Sequence, residues 1–328
     1  MRLLLKIIGG LLLLAALGAG VAWFVLSSTY PKVGPAPVID FSKGGKDRVA
    51  HGRYLAENVA FCITCHSTRD WTRQSGPVTP GTEGKGGDAF DRTYGVPGTV
   101  HASNITPAHL GSWSDSDVAR AITCGVTADG KALFPIMPYL IYRHLAKSDV
   151  ADIVMYLRTL KPLQNEIPAR KLTFPMNLVV RMLPQPAELL DAPPTAKDGT
   201  AYGEYLTAMA SCMPCHSQRV HGTFKAGLEY AGGVEFRVPG MSGVERSANI
   251  TPDAETGIGK WTRAQFIARF KSMDPARHPP ASVKPGEMSS VMPWTAYGGM
   301  TEDDLGAIYD YLQTLGPVKN AVQAYSPQ

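Results

Sequence analysis

Cys62-Ile63-Thr64-Cys65-His66 returns further along the chain as Cys212-Met213-Pro214-Cys215-His216, and the reading of this doubled Cys-x-x-Cys-His decides the fold. Two thiols one short turn apart can form thioethers to the two vinyl groups of one porphyrin, and the imidazole that follows then lies under the iron. The pattern is the attachment signature of c-type haem. It makes Cys62, Cys65, Cys212 and Cys215 the covalent anchors of two haems, and His66 and His216 their proximal iron ligands. A bare Cys-x-x-Cys also serves as a thioredoxin-like redox pair or as half of a zinc site. Neither of those requires the His that closes both motifs, and a four-cysteine zinc site would have to unite motifs far apart in sequence.

The repeat extends well beyond the cysteines. His51-Gly52-Arg53-Tyr54-Leu55 precedes the first motif and Tyr202-Gly203-Glu204-Tyr205-Leu206 the second. Downstream, Asn104-Ile105-Thr106-Pro107 answers Asn249-Ile250-Thr251-Pro252, Trp113 answers Trp261, and Met137-Pro138-Tyr139 answers Met292-Pro293-Trp294. Tyr156-Leu157-Arg158-Thr159-Leu160 and Tyr311-Leu312-Gln313-Thr314-Leu315 close the two copies. Such self-similarity means one unit duplicated, not one large core.

The Met-Pro pair bears on the metal. A haem iron with one imidazole keeps an open face that a thioether can close, so Met137 and Met292 are the expected axial ligands. A methionine is more often core filler than ligand, but these two occupy the same place in both copies. Met288 is the nearest competitor, and nothing in the first copy corresponds to it.

Taken together, these motifs resemble the class I cytochrome c fold, spread over two tandem domains from about Val49 to Asn320. The resemblance implies an all-α protein, two tandem class I cytochrome c domains behind an N-terminal transmembrane helix, with a few helices around each haem and little sheet. More narrowly, the long loop ending in Asn-Ile-Thr-Pro, the Met-Pro-aromatic segment and the Tyr-Leu-x-Thr-Leu helix are similar to those of cytochrome c subunits of periplasmic, membrane-bound dehydrogenases for alcohols, aldehydes or sugars. Those proteins often carry three haems, whereas two motifs stand here.

Local signals give the same helical reading. Val150, Ile153, Val154, Leu157 and Leu160 recur at helical spacing, with Ser148 as the expected N-cap. Leu305, Ile308, Leu312 and Leu315 repeat the pattern behind the acidic first turn Thr301-Glu302-Asp303-Asp304. Thr262-Arg263-Ala264-Gln265 is a capping box leading into Phe266, Ile267 and Phe270. A short helix should end at each pair of cysteines, its tyrosine and leucine packing on the final helix of the same domain. The stretch from Gly76 to Gly98 reads as a long loop over a haem edge, and strand signals are sparse.

The N-terminus sets the compartment. Arg2 and Lys6 precede an uncharged run from Ile7 to Leu26, about the twenty residues needed to cross a bilayer as a helix. Trp23 and Tyr30 stand where interfacial aromatics lie, and the two cations hold the N-terminus in the cytoplasm. The expected location is the bacterial inner membrane, with one N-terminal span and the haem domains in the periplasm. A cleaved signal peptide is the alternative, since Gly18, Ala19 and Gly20 could form a small-residue cleavage site.

The expected domains are therefore an anchor over 1–30, a Pro- and Gly-containing tether over 31–47, a first cytochrome domain over 48–165, a strap over 166–198, a second domain over 199–320 and a tail over 321–328. Leu172, Phe174, Leu178, Val179, Val180, Met182 and Leu183 make the strap too apolar for a free linker, so it lies on the first domain or offers a docking surface. The chain's 328 residues suffice for two compact domains, and a net charge of +4 without a basic stripe argues against nucleic acid as a partner. Cys124, opposite Ser272 in the repeat, is either a small buried residue or an axial thiolate of a sulfur-oxidising haem enzyme. His51, His101, His109, His144, His221 and His278 form no matched pair and read as surface or loop residues.

Two function classes follow. In one, both irons are six-coordinate and the protein relays electrons, accepting them from a dehydrogenase and giving them to quinone, a soluble cytochrome or an oxidase. In the other, one iron is open or thiolate-bound and does chemistry, as in a dihaem peroxidase or a thiosulfate dehydrogenase. A candidate Met in both copies favours the relay, within which a dihaem subunit of a haem-copper oxidase is the second possibility.

Overall fold

The computed structural model describes residues 1–42, 45–220, 222–237, 243–284 and 287–327. One apolar helix, Arg2–Thr29, carries exposed side chains over Arg2–Val25, a stretch with a mean hydropathy of 2.2. It is long and apolar enough to cross a membrane, and a signal sequence has the same properties.

The remainder is two helical halves with the same order of elements. In the first, helix Lys46–Tyr54 runs on through the π-turn Leu55–Val59 to the single turn Cys62–Cys65, and in the second, Thr200–Met209 leads to Cys212–His216. Each of these helices crosses the final helix of its own half, Lys147–Thr159 or Glu302–Leu312. Glycine makes both crossings possible. A Cβ on Gly52 would come within 1.8 Å of the Asp152 carbonyl oxygen, and one on Gly203 within 2.0 Å of that of Ala307. Only a bare backbone fits at such a distance.

Capping follows the sequence in most places. Ser114 and Asp117 form a reciprocal capping box on helix Asp115–Cys124, as Thr262 and Gln265 do on helix Arg263–Lys271. Thr301 accepts from the Asp304 N–H at 3.1 Å, behind the acidic first turn. Ser148 is a correction. The helix begins two residues earlier, its N-cap is Ala146, and Ser148 lies inside the first turn. The place of a capping side chain is taken from the other half, where the Tyr205 hydroxyl accepts the Ala146 N–H at 3.0 Å.

The all-α expectation is also corrected in part. Helices make up about 40% of the chain, and among the described residues three small sheets accompany them. In the first half Gly98–His101 pairs antiparallel with Ala89–Phe90 (Phe90 opposite Val100) and with Lys171–Leu172 (Thr99 opposite Lys171). In the second, Val244–Arg246 pairs with Glu235–Phe236 and with Tyr325–Ser326. The third strand of each sheet thus comes from residues beyond the final helix, from the strap in one half and the tail in the other. Strands of two to four residues carry too little alternation to be visible as a period of two.

Segments expected to be connections lie against the first half. Val33 joins Cys124, Val126 and Ala187 in a small buried cluster, and Ile39 and Phe41 pack on the main core. Within the strap, Val180 is fully buried, Leu190 forms a bridge with Ala146, and Arg143 pairs with Glu188 at 2.5 Å. The strap also touches the apolar helix, with the Arg181 guanidinium 5.6 Å from the centre of the Trp23 ring.

The two halves are joined by swapped tyrosines. Tyr54 of the first half donates to Asp304 of the second, and Tyr205 of the second donates to Asp149 of the first at 2.6 Å. Backbone donors close both knots, Thr301 N–H to Tyr54 at 3.1 Å and Ala146 N–H to Tyr205. These equivalent residues were expected to serve their own domains. Instead each hydroxyl crosses to the final helix of the other copy, giving a local twofold relation between the halves, while Leu55 and Leu206 stay in the core as expected.

Candidate functional site

Each Cys-x-x-Cys-His is entered through a residue in the left-handed region, Phe61 at φ 40° and Ser211 at φ 53°. This sharp entry starts a new helical turn at Cys62 and Cys212, putting both thiols of a motif on one turn. No disulfide joins any of the five cysteines. Burial pushes the Cys62, Cys65 and Cys212 thiols up to about 12, as apolar surroundings do to a thiol.

The two histidines are held identically. His66 donates from Nδ1 to the Ser103 carbonyl at 2.7 Å, and His216 does so to the Ala248 carbonyl at 2.7 Å. A carbonyl can only accept, so Nδ1 carries the proton and Nε2 is left with its lone pair. Burial lowers the pKa of both rings, which keeps them neutral. This is the arrangement in which an outer hydrogen bond orients a metal-binding imidazole. The Gly86 N–H caps the His66 carbonyl at 2.8 Å, and the Gly232 N–H caps that of His216 at 2.7 Å.

The carbonyls that hold the histidines are positioned by Asn-Ile-Thr-Pro. Asn104 Oδ1 accepts from the N–H of Thr106 at 2.9 Å and its hydroxyl at 2.7 Å, while Asn104 Nδ2 donates to the Leu163 carbonyl at 2.7 Å. Asn249 makes the same three bonds to Thr251 and the Val318 carbonyl, at 3.0, 2.8 and 2.7 Å. The motif therefore clips the loop that ends beside each His to the chain leaving the final helix.

Met137 and Met292 both stand half-buried against the core that Cys62 and Cys212 also border. Met288 is 41% exposed, which weakens it as a rival to Met292. Cys124 is buried among Val33, Val126 and Ala187, in keeping with the packing role. His51 is exposed on its helix and paired with Asp152 at 2.9 Å, whereas His101 lies in a strand with Nδ1 buried. His221 lies outside the described residues.

The sequence reading missed a second matched pair, Tyr142 and Tyr297, on the short helices after each Met-Pro. Both are buried, and their hydroxyls donate to the carbonyls two residues before the first cysteine of each motif, Ala60 at 3.1 Å and Ala210 at 2.5 Å. Their equal distance from Met137 and Met292 was the available signal. They also mark where the two motifs meet. Phe61 packs edge-on against Tyr297 at 5.7 Å, Ser211 lies beside Tyr142, and Cys65 is near enough to Cys215 for charge on one to raise the other.

The donor set fits haem c in each half: two thiols on one turn, a neutral imidazole with a free Nε2, and a thioether on the same core. A redox dithiol alone would leave the two oriented imidazoles unused.

No family model matches the chain. Curated relatives do. The chain is 28% identical over 285 residues to the alcohol dehydrogenase (quinone) cytochrome c subunit of Gluconacetobacter polyoxogenes, covering 82% of this chain and 56% of that one. It is 26% identical over 281 residues to the fructose dehydrogenase cytochrome subunit of Gluconobacter japonicus, covering 81% and 52%. A dihaem c-type cytochrome of Cereibacter sphaeroides is 26% identical over 272 residues, covering 79% and 83%. The chain resembles cytochrome c subunits of dehydrogenases, and it spans about half the length of the first two relatives. Haem c is the cofactor this resemblance implies.

Proposed function

We propose that this protein is a dihaem electron relay, two class I cytochrome c domains held by the N-terminal helix at the periplasmic face of a bacterial inner membrane, accepting electrons from a dehydrogenase and passing them to quinone, a soluble cytochrome or a terminal oxidase. The observation that carries this reading is the matched holding of His66 and His216 by backbone carbonyls, beside paired thiols that meet across one interface.

Haem c, when bound, supplies reversible one-electron transfer. The chain's own residues do the rest. Cys62 and Cys65, and Cys212 and Cys215, fix the group covalently. Ser103 and Ala248 aim the two imidazoles through Nδ1. Met137 and Met292 would be the further residues holding each haem iron, which would keep oxygen and substrates away and suit a carrier rather than a catalyst. Tyr142, Tyr297 and Phe61 fill the space between the motifs, excluding water from the shortest line between them. The contact of Arg181 with Trp23 supports a first domain lying close to the membrane.

Carbon monoxide tests the relay. The reduced native protein should bind little, and Met137→Ala or Met292→Ala should each open one of two haems. Strong binding to the unaltered protein would instead indicate an open, catalytic iron.

A further inference from the structure

The loop that follows the first haem motif does not stay with its own half. Thr72 accepts from the Val283 N–H at 2.7 Å, the Gln74 N–H donates to Ala281 at 2.8 Å, and the Gln74 side-chain amide donates to the Met288 carbonyl at 2.7 Å. At the centre is Ser75. It is fully buried, its N–H donates to the Ser289 hydroxyl at 3.2 Å, and its own hydroxyl donates to the Met292 carbonyl while accepting the Trp294 N–H at 3.0 Å. One hydroxyl thus grips the main chain on both sides of Pro293.

The loop is in turn fixed from the first haem motif. Arg69, three positions after His66, donates to the carbonyls of Ser75 at 2.6 Å and Gly76 at 2.8 Å, and its guanidinium lies 4.1 Å over the centre of the Trp71 ring. Ser75 has φ 64°, the left-handed region that costs a non-glycine residue about 1 kcal/mol or more. A backbone held there against that cost is fixed by its surroundings.

We infer that Ser75, carried by the first half, is a positioning residue for Met292 in the second, so that thioether ligation of the second iron is set partly from the first haem's own loop. The inference rests on the reading of Met292 as an axial ligand. Both methionine carbonyls accept the N–H two residues on, Tyr139 at 2.8 Å and Trp294 at 2.7 Å, but among the described residues only the Met292 carbonyl also accepts a hydroxyl from the other half.

Ser75→Gly tests this, because glycine favours the observed φ while the substitution removes the hydroxymethyl group and both of its hydrogen bonds. In the reduced holoprotein, loss of its hydrogen bonds should speed carbon monoxide uptake at the second haem about fivefold, given the net worth of one such bond. It should also weaken the thioether-to-iron charge-transfer band of the oxidised second haem. The first haem should be unchanged, the two signals being assigned with Met137→Ala and Met292→Ala. Unchanged uptake at the second haem, or equal change at both, overturns the inference while the ligand reading stands. A second haem that stays closed in Met292→Ala overturns the ligand reading and this inference with it. Should Ser75→Gly fail to accumulate with two haems, Gln74→Ala loosens the same loop and carries the same readout.

Discussion

The two halves of this protein hold their histidines alike and their methionines differently. Around His66 and His216 the bond from Nδ1, the Asn-Thr clip and the glycine N–H that caps the histidine carbonyl are the same in both halves. Around the methionines the halves share the bond from each Met carbonyl to the N–H two residues on and differ in what fastens the segment. The Met137 segment is fastened within its own half, helped by Arg170 of the strap, which donates to the Ala132 carbonyl. The Met292 segment is fastened by Ser75 of the other half and by Glu245, which accepts from the Ser290 hydroxyl at 2.5 Å and the Val291 N–H at 2.8 Å. Glu245 stands where the first half has Val100. A repeated unit has thus kept the parts that orient the imidazole and changed those that fasten the methionine segment.

If the scaffold is common to both halves, equivalent lesions in it should cost the same. Gly52→Ala and Gly203→Ala both force a methyl into a carbonyl oxygen 2.0 Å away or less. Each should destabilise by about 3 kcal/mol or more through overpacking of a helix crossing, read as a fall in the unfolding midpoint. A glycine that tolerates alanine would show that its crossing is looser than its twin.

The swapped tyrosines should break the symmetry. Tyr205→Phe leaves Asp149, which is 3% exposed, with the Ser148 hydroxyl at 3.4 Å, and it strips the Ala146 N–H of its acceptor. Tyr54→Phe also strips the Thr301 N–H of its acceptor, but Thr301 is exposed to water, and Asp304 keeps the Tyr202 hydroxyl at 2.6 Å. The first substitution should cost about 2 kcal/mol and the second about half as much. Equal losses in denaturant titrations would mean that the second donor to Asp304 contributes little.

A smaller effect distinguishes His51 from Tyr202, its counterpart in the repeat. The hydrogen bond to Asp152 raises the His51 pKa above its ordinary 6.5. A group raised on folding adds stability that is fully present below 6.5 and is lost as pH rises through the raised value. His51→Gln should therefore lower the unfolding temperature more at acid than at alkaline pH. The ring is half-exposed, so the difference should stay below about 1 kcal/mol. A loss that is the same at both pH values would show that the pair acts by packing alone.

Much of the site was legible because its chemistry needs particular residues at fixed spacing. Cys-x-x-Cys-His, Asn-Ile-Thr-Pro and Met-Pro stand out twice each, and the structure gives the first two the same hydrogen bonds in both halves. Contacts between copies were not legible. A tyrosine in a repeated helix can reach its own final helix or its twin's without any change in the pattern, so the exchange of Tyr54 and Tyr205 left no trace. Ser75 was hidden for the same reason, as a small polar residue in a glycine-containing loop whose partner lies more than two hundred positions away. The third strands, Lys171–Leu172 and Tyr325–Ser326, were too short to show an alternating pattern.

The account depends first on two covalent haems, and intact mass of the protein matured in a host that assembles c-type cytochromes tests that most directly. The mass should exceed that of the processed polypeptide by two haems, and Cys62→Ala with Cys65→Ala, or Cys212→Ala with Cys215→Ala, should each remove one. A single haem in the unaltered protein, or zinc in place of haem at the four cysteines, would contradict it.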